Sequence, residues 1–231
     1  MGPHGLTETT AALDNQTSGR SMKNSWFIDG DSAWAPAVYE WFFVRTRWGR
    51  RLRRDEEEVI HDALSACLNV SDQVLEVGAG TGNYTALLDR VAARVDVREP
   101  AASMRNFLRR RAAREHWTRT SVTEGRLPDL QVVTHYDGAL AIGVLNYVGD
   151  FLHSLQGLAD CLAPGGWLVV NVPADSPRGH RYAALEALGR RRVHCRPSRE
   201  VKLAAAAAQL SIVEGPIAAG VTDVYRLVRD R

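Results

Sequence analysis

Val74-Leu75-Glu76-Val77-Gly78-Ala79-Gly80-Thr81-Gly82-Asn83-Tyr84 is the stretch on which the reading of the chain turns. A short apolar run ends, three alternating glycines turn the backbone, and helix-like text begins. Glycine is needed where a chain bends sharply and its backbone must approach a ligand without a Cβ in the way. Downstream, Val95-Asp96-Val97-Arg98 reads as a second strand ending on Glu99. A carboxylate at that place can accept both hydroxyls of a ribose. A glycine turn serving only helix–sheet packing, with Glu99 solvated, is the bland alternative. The turn, the acid and the strand–helix context together argue against it.

The rhythm continues outward from this turn. Helix-like text covers residues 83–92, strand 94–98, helix 101–114 and strand 117–122. Strand 138–142, helix 150–162 and strand 167–172 follow, with Pro128-Asp129 and Pro164-Gly165-Gly166 placed as connections. Such alternation predicts an α/β fold: a Rossmann-like, doubly wound, mostly parallel seven-stranded sheet with helices on both faces. Residues 173–197 read as a long insert with a helical stretch over 182–191. Ser198 is expected to cap a helix over 199–210, and residues 211–216 and 221–228 to close the sheet as an antiparallel pair.

Upstream, Asp31-Ser32 reads as a cap for a helix over 33–47, which carries Trp34, Tyr39, Trp41, Phe42 and Phe43, with Trp48 just beyond. A second helix is expected over 55–68, with Val59, Leu64 and Leu68 on one stripe and Asp55 to Glu58 in its first turn, where the helix dipole favours acids. Residues 1–30 are expected to form a flexible tail, since they lack the apolar core of a signal peptide. Residues 31–231 then form a single domain, with 31–70 as a helical lid and 173–197 as a substrate-side insert.

Composition narrows the partners. The chain has 231 residues, 45% hydrophobic and 24% charged, with a formal net charge of +2. It can bury a sizeable core without staples, and its charge makes no case for a polyanion. The arginine-rich stretches 45–54 and 105–114 read as solvated helix faces, the second with Met104, Leu108 and Ala112 on its buried side. No nucleic-acid module is present, so no nucleic acid is expected as partner. Cys67, Cys161 and Cys195 are far apart and lack zinc spacing, so no metal site is expected and the thiols read as reduced, in a cytoplasmic protein. No apolar run approaches the length needed to cross a bilayer, so no membrane is expected.

The glycine spacing is GxGxG rather than the GxGxxG of nicotinamide enzymes, and here the chain resembles the class I S-adenosylmethionine-dependent methyltransferases, in particular the small-molecule, methyltransferase-11-like members. Glu76 to Gly82 is similar to their first motif. Glu99-Pro100-Ala101-Ala102-Ser103-Met104 resembles their acidic turn after the second strand, and Thr123-Glu124-Gly125-Arg126-Leu127-Pro128 their adenine-contact segment, with Thr123 where an aspartate usually stands. Tyr136 to Ile142 with Val144 to Tyr147 resembles the fourth-strand motif, and Leu162-Ala163-Pro164-Gly165-Gly166 the turn before the fifth strand. Tyr39-Glu40-Trp41-Phe42 with Thr46 to Gly49 resembles an entry helix that lids the cofactor.

The resemblance implies S-adenosyl-L-methionine as cofactor. It is held by Tyr39, Glu76, Gly78, Ala79, Gly80, Gly82, Glu99, Pro100, Met104, Thr123, Glu124, Ile142 and Gly143. It implies methyl transfer to a small-molecule acceptor, such as a secondary metabolite, by in-line displacement. A positively charged sulfonium already activates the methyl group, so the protein mainly aligns the acceptor and excludes water. Ring faces suit such a cation. Should a base be used, His180 on the insert and Tyr147 at the end of the fourth strand are the catalytic candidates. An RNA or protein methyltransferase, and a cyclase or non-catalytic binding protein on the same fold, stand as alternatives. The oligomeric state is not encoded in any motif.

Overall fold

The computed structural model describes residues 47–130, 134–188 and 191–231, with side chains from Arg54 onward. The expected tail, the helix over 33–47 and Tyr39 lie outside the described residues. Seven strands form one sheet: β1 (Gln73–Val77), β2 (Arg94–Arg98), β3 (Thr120–Thr123), β4 (Tyr136–Ala141), β5 (Leu162–Pro173), β6 (Leu210–Ala219) and β7 (Thr222–Arg229). Their order is β3-β2-β1-β4-β5-β7-β6. β1 to β5 are mutually parallel, β7 runs antiparallel to β5, and β6 pairs antiparallel with β7. Among the described residues six α-helices flank the sheet: α1 (Arg47–Ser65), α2 (Asn83–Val91), α3 (Ala102–Glu115), α4 (Phe151–Asp160), α5 (Pro177–Leu188) and α6 (Ser198–Ala207). The expected doubly wound α/β architecture is the observed one, and none of the described helices is long and apolar enough to cross a membrane.

Alternation along the strands feeds two cores. Leu75, Val77, Ala139, Ala141, Leu168 and Val170 face one side, with Leu155 and Leu158 of α4 and Val201 and Ala205 of α6. Val74, Val95, Val97, Leu140 and Val169 face the other, with Ile60 and Leu64 of α1, Leu88 of α2 and Leu108 of α3. Burial on both faces is why these strands read as near-continuous apolar runs.

Several boundaries differ from the sequence reading, each for a local reason. α1 starts at Arg47, so Asp55 to Glu58 fall well inside it rather than in a first turn. Its buried stripe is Ile60, Ala63 and Leu64, while Val59 and Leu68 are only partly covered. The strand expected over 117–122 shrinks to Thr120–Thr123, because α3 ends at His116 in a left-handed conformation and Trp117 packs beside the glycine turn. Pro164-Gly165-Gly166 is not a connection but an irregularity inside β5, whose pairing with β4 jumps from Tyr136↔Leu162 to Gly138↔Trp167. Gly165 takes the positive φ of 80° that the extra residues demand. Pro197, not Ser198, is the cap of α6, whereas Asp150 caps α4 by accepting the His153 N–H at 3.1 Å.

Candidate active site

The strand order reverses between β1 and β4, the neighbours on either side of the switch point. Ligands of open α/β sheets bind there, at the carboxyl ends of the strands. The three glycines after β1 all adopt positive φ, 69° at Gly78, 57° at Gly80 and 85° at Gly82. Their surroundings divide them. A Cβ on Gly78 would lie 2.4 Å from Val144 Cγ2, and one on Gly82 would lie 2.7 Å from Leu108 Cδ2 and 2.9 Å from Trp117. Those two glycines let the turn pack on its neighbours. A Cβ on Gly80 meets nothing within 4 Å, and neither does one on Gly143, after β4. Gly80 is therefore the bare backbone that the turn presents to open space.

Glu99 closes the other side of the turn. It is only 5% exposed. Its Oε2 accepts the Gly80 N–H at 3.2 Å, and its Oε1 accepts the Ala101 N–H at 3.0 Å, just ahead of α3. Burial nevertheless holds its carboxyl above the usual range, against those two backbone bonds and Arg105. Glu76, at 3% exposure, lies behind the turn and accepts the Thr85 hydroxyl at 2.6 Å. Burial pushes its pKa up to about 7; the Thr85 bond opposes this and the nearby Glu99 charge adds to it. Burial thus works against ionising both carboxyls, and a positive charge or hydrogen-bond donors brought to the turn would favour their charged forms.

The back of the turn is fastened by a residue that sequence reading passed over. Arg111 Nη1 donates to the Thr81 carbonyl at 2.7 Å, its Nε pairs with Glu115 at 2.9 Å, and its guanidinium lies 5.6 Å from the Trp117 ring centroid. Thr81 Oγ1 is buried in the same turn with no hydrogen-bond partner among the described residues.

The remaining expected cofactor residues line the crevice unevenly. Ala79 is partly buried and Pro100 is exposed. Ala101 and Met104 form a small apolar cluster beside Glu99. Thr123 and Glu124 end β3 in exposed positions; Thr123 accepts a bond from Arg98, and Glu124 pairs with Arg105 at 2.9 Å. Ile142 and Gly143 follow β4, where the Gly143 N–H donates to Asn171 Oδ1 at 2.7 Å. Asn171 in turn donates to Glu56 of α1, which also accepts the Thr222 hydroxyl at 2.8 Å. Glu56 thus ties α1 to the carboxyl end of β5.

The two catalytic candidates part company. His180 sits on α5 with its side chain 62% exposed, 2.8 Å from Asp175. Tyr147 ends the short turn Leu145–Tyr147 after β4, and its hydroxyl lies 3.2 Å from that of Tyr182 on α5 and 3.3 Å from Glu186 Oε2. Arg191 donates to the Tyr147 hydroxyl at 3.4 Å and packs over its ring. Burial and the neighbouring Tyr182 and Glu186 raise the Tyr147 pKa, so its phenol stays protonated. Asn146, next to Tyr147 in the chain, is buried, and its backbone carbonyl accepts the His194 N–H at 2.9 Å. Tyr182 and Glu186, one helical turn apart, could have been singled out in the insert from that spacing. Arg111 carried no signal beyond its place on a basic helix face, and Asn146 none beyond its place in the fourth-strand motif, since their partners are brought near only by the folded sheet.

These features fit S-adenosylmethionine: an open, glycine-lined backbone and an acid placed for a ribose. The Methyltransferase domain family model matches residues 48–214. No curated protein sequence matches the chain. Among solved structures, the magnesium protoporphyrin IX methyltransferase of Synechocystis PCC 6803, with bound S-adenosylhomocysteine, is similar with a TM-score of 0.66 at 15% identity, over 84% of this chain and 99% of that one. The N-methyltransferase NodS from Bradyrhizobium japonicum WM9, in complex with S-adenosylhomocysteine, gives 0.62 at 20% identity over 84% and 98%. A chain from the complex between the Haloferax volcanii Trm112 activator and a methyltransferase gives 0.66 at 17% identity over 84% and 98%. With the family model covering most of its length and the glycine crevice in place, the chain belongs to the methyltransferase-domain family, and its cofactor is S-adenosylmethionine.

Proposed function

We propose that the chain transfers the methyl group of S-adenosylmethionine to a small molecule. The observation that carries this reading is the state of the basic helix. On α3, Arg105 pairs with Glu124, Arg109 donates to the Val122 carbonyl, Arg111 to the Thr81 carbonyl, and Arg114 to Glu115. These four guanidinium groups are engaged within the fold; Arg110, on the same helix, is exposed, so α3 presents isolated arginines rather than a continuous free strip for phosphates. The acceptor side is instead walled by α5, where Tyr182 meets Tyr147. One of the similar structures is a magnesium protoporphyrin IX methyltransferase, a small-molecule acceptor by its name, which supports a small acceptor here.

In this reading Gly80 and Glu99 hold the cofactor, with Glu76 fixing the turn through Thr85. The cofactor supplies an electrophilic methyl group. Tyr147 and Tyr182 orient the acceptor and keep water out. Tyr147 acts as a donor and wall rather than a base, and His180, tied to Asp175, stands at the rim. The test is to supply methyl-labelled S-adenosylmethionine with a cell extract separated into small-molecule, RNA and protein fractions. Label is expected in the small-molecule fraction. Label confined to RNA or protein would replace this reading with a macromolecular one.

A further inference from the structure

Positive charge gathers on one segment of the chain. Residues 174–200 carry seven Arg against three acids, a net +4, while the whole chain carries +2. Within that segment Arg192, His194 and Arg196 alternate along a stretch fastened to the rest of the fold. The His194 N–H donates to the Asn146 carbonyl at 2.9 Å, and the Arg196 N–H to that of Pro173 at 3.0 Å. Burial, and then the charges of Arg196 and Arg192, hold the His194 imidazole below its ordinary range, against the pull of Glu200. Like charges are held together here, an arrangement that an anion relieves.

This segment ends on an open groove of about 830 Å³ between α4 and α6. Arg196 lines it, packed 4.4 Å from the Phe151 ring centroid and only 8% exposed. Its Nη1 pairs with Glu200 and its Nη2 donates to the Val148 carbonyl at 2.8 Å, but its Nε has no partner among the described residues. A buried donor left unpaired is costly. Arg199, also in the lining, is exposed and makes no hydrogen bond or ion pair with the described residues. The ten-residue α6 starts beside both with no side-chain cap, so the N–H groups of its first turn add partial positive charge at the same place. The acids of the lining are Asp150 and Glu200. Set against Arg192, Arg196 and Arg199, they leave one positive charge. The rest of the groove is apolar: Leu152 and Leu203, 39% and 62% exposed, line it with Ala204 and Ala207. Arg199, Leu203 and Ala207 follow one another at a spacing of four, so one face of α6 runs from cation to apolar surface.

We propose that this groove binds a single-chain organic anion, a monocarboxylate on an apolar tail. The carboxylate accepts from Arg199 and the first-turn N–H groups of α6, and it balances the charge left by Arg192 and Arg196. The tail lies along Leu203, Ala204 and Leu152. One leftover charge suits a carboxylate, whereas a phosphate monoester, at about −1.5 to −2 near neutral pH, overfills it. The site is separate from the glycine crevice, since neither the turn nor Glu99 lines it. It does not depend on which acceptor the crevice takes.

The test titrates butyrate, octanoate and decanoate, each below its micelle concentration, into the full chain by calorimetry, with decanol and decylamine as neutral and cationic controls. Saturable one-site binding is expected for the acids, tightening roughly two- to fourfold per added CH₂, and roughly tenfold weaker for the controls. Saturating S-adenosylhomocysteine should leave the decanoate affinity unchanged. Arg199→Glu and Leu203→Ser, both at exposed positions, should each weaken decanoate roughly fivefold or more, with near-UV circular dichroism as the check on folding. Equal binding of acid, alcohol and amine would mean unspecific partition and overturn the proposal. So would no saturable binding, displacement of decanoate by S-adenosylhomocysteine, or folded variants that bind decanoate as the parent does. Pelleting with phosphatidylglycerol vesicles without binding of dissolved decanoate would assign the groove to a membrane surface instead. A dimer in sedimentation that Leu203→Ser dissolves would assign it to a second copy of the chain.

Discussion

At the scale of single residues, the account rests on carboxylates whose environment is legible only in the fold. Glu99 bridges Gly80 and Ala101, so removing it should cost cofactor affinity directly. Glu99→Ala is expected to weaken S-adenosylhomocysteine by about 1.5–3 kcal/mol, the range for a hydrogen bond to a charged group, as read by calorimetry on the folded variant. Glu76 makes a different prediction. Its folded pKa is raised to about 7, above its unfolded value, so the folded protein binds this proton more tightly. The resulting stability is fully present below the unfolded pKa and is lost as pH rises through about 7. The loss is on the order of 3 kcal/mol. Denaturant unfolding of the ligand-free chain should show that fall between about pH 4.5 and pH 7, and Glu76→Gln should flatten it. A parent profile already flat across this window would mean that Glu76 is ionised without penalty. The sequence pointed to both acids through their places at strand ends. It gave no sign of Arg111, whose bond to the Thr81 carbonyl joins residues far apart in the chain. Arg111→Ala should loosen the glycine turn and weaken S-adenosylhomocysteine roughly 5- to 30-fold, about one charge-assisted hydrogen bond, with Arg111→Lys in between. Affinity equal to the parent's in Arg111→Ala would show that the turn holds its shape unaided.

Elements were legible where period and punctuation agreed, and less so where packing overrode them. β1, β2 and α2 follow the text closely, because strand, glycine turn and amphipathic helix each carry a local signal. β5 starts earlier than its apolar run, because the β4 partner strand extends to Tyr136 and draws Leu162 into the ladder. α1 extends back to Arg47, since its burial against β5 and β7 through Ile60 and Leu64 outweighs the acidic cluster taken for a helix start. The β4–β5 contact gives an element-scale test. Gly138 faces Trp167 so closely that an added Cβ would lie 1.9 Å from the indole. Trp167 is itself fixed by a 2.9 Å bond from its Nε1 to Asp72. Gly138→Ala should therefore destabilise the chain by about 1–3 kcal/mol through overpacking. Chemical denaturation measures this, and an unchanged midpoint would mean that the indole swings aside at no cost.

For the whole molecule, the fold puts the bare backbone of Gly80, the acid Glu99 and the Tyr147–Tyr182 pair along one edge of the sheet. Topology does this, since β1 and β4 are neighbours whose following turns converge at the switch point. The donor side of that edge was readable because its motif is contiguous. On the proposed acceptor side the sequence named the insert and Tyr147 but not the meeting of Tyr147 with Tyr182, because only the folded sheet brings the turn after β4 to that helix. The central claim is that this edge binds S-adenosylmethionine through the glycine turn. Its most direct test is calorimetric titration of S-adenosylhomocysteine into the intact chain and into Gly80→Val. A Cβ at this position meets no protein atom within 4 Å and the substitution costs about 1–2 kcal/mol of left-handed backbone strain, so the variant should remain folded by near-UV circular dichroism. The account predicts saturable one-site binding to the parent and none to the folded variant. A parent that does not bind, or a variant that binds as tightly as the parent, would contradict it.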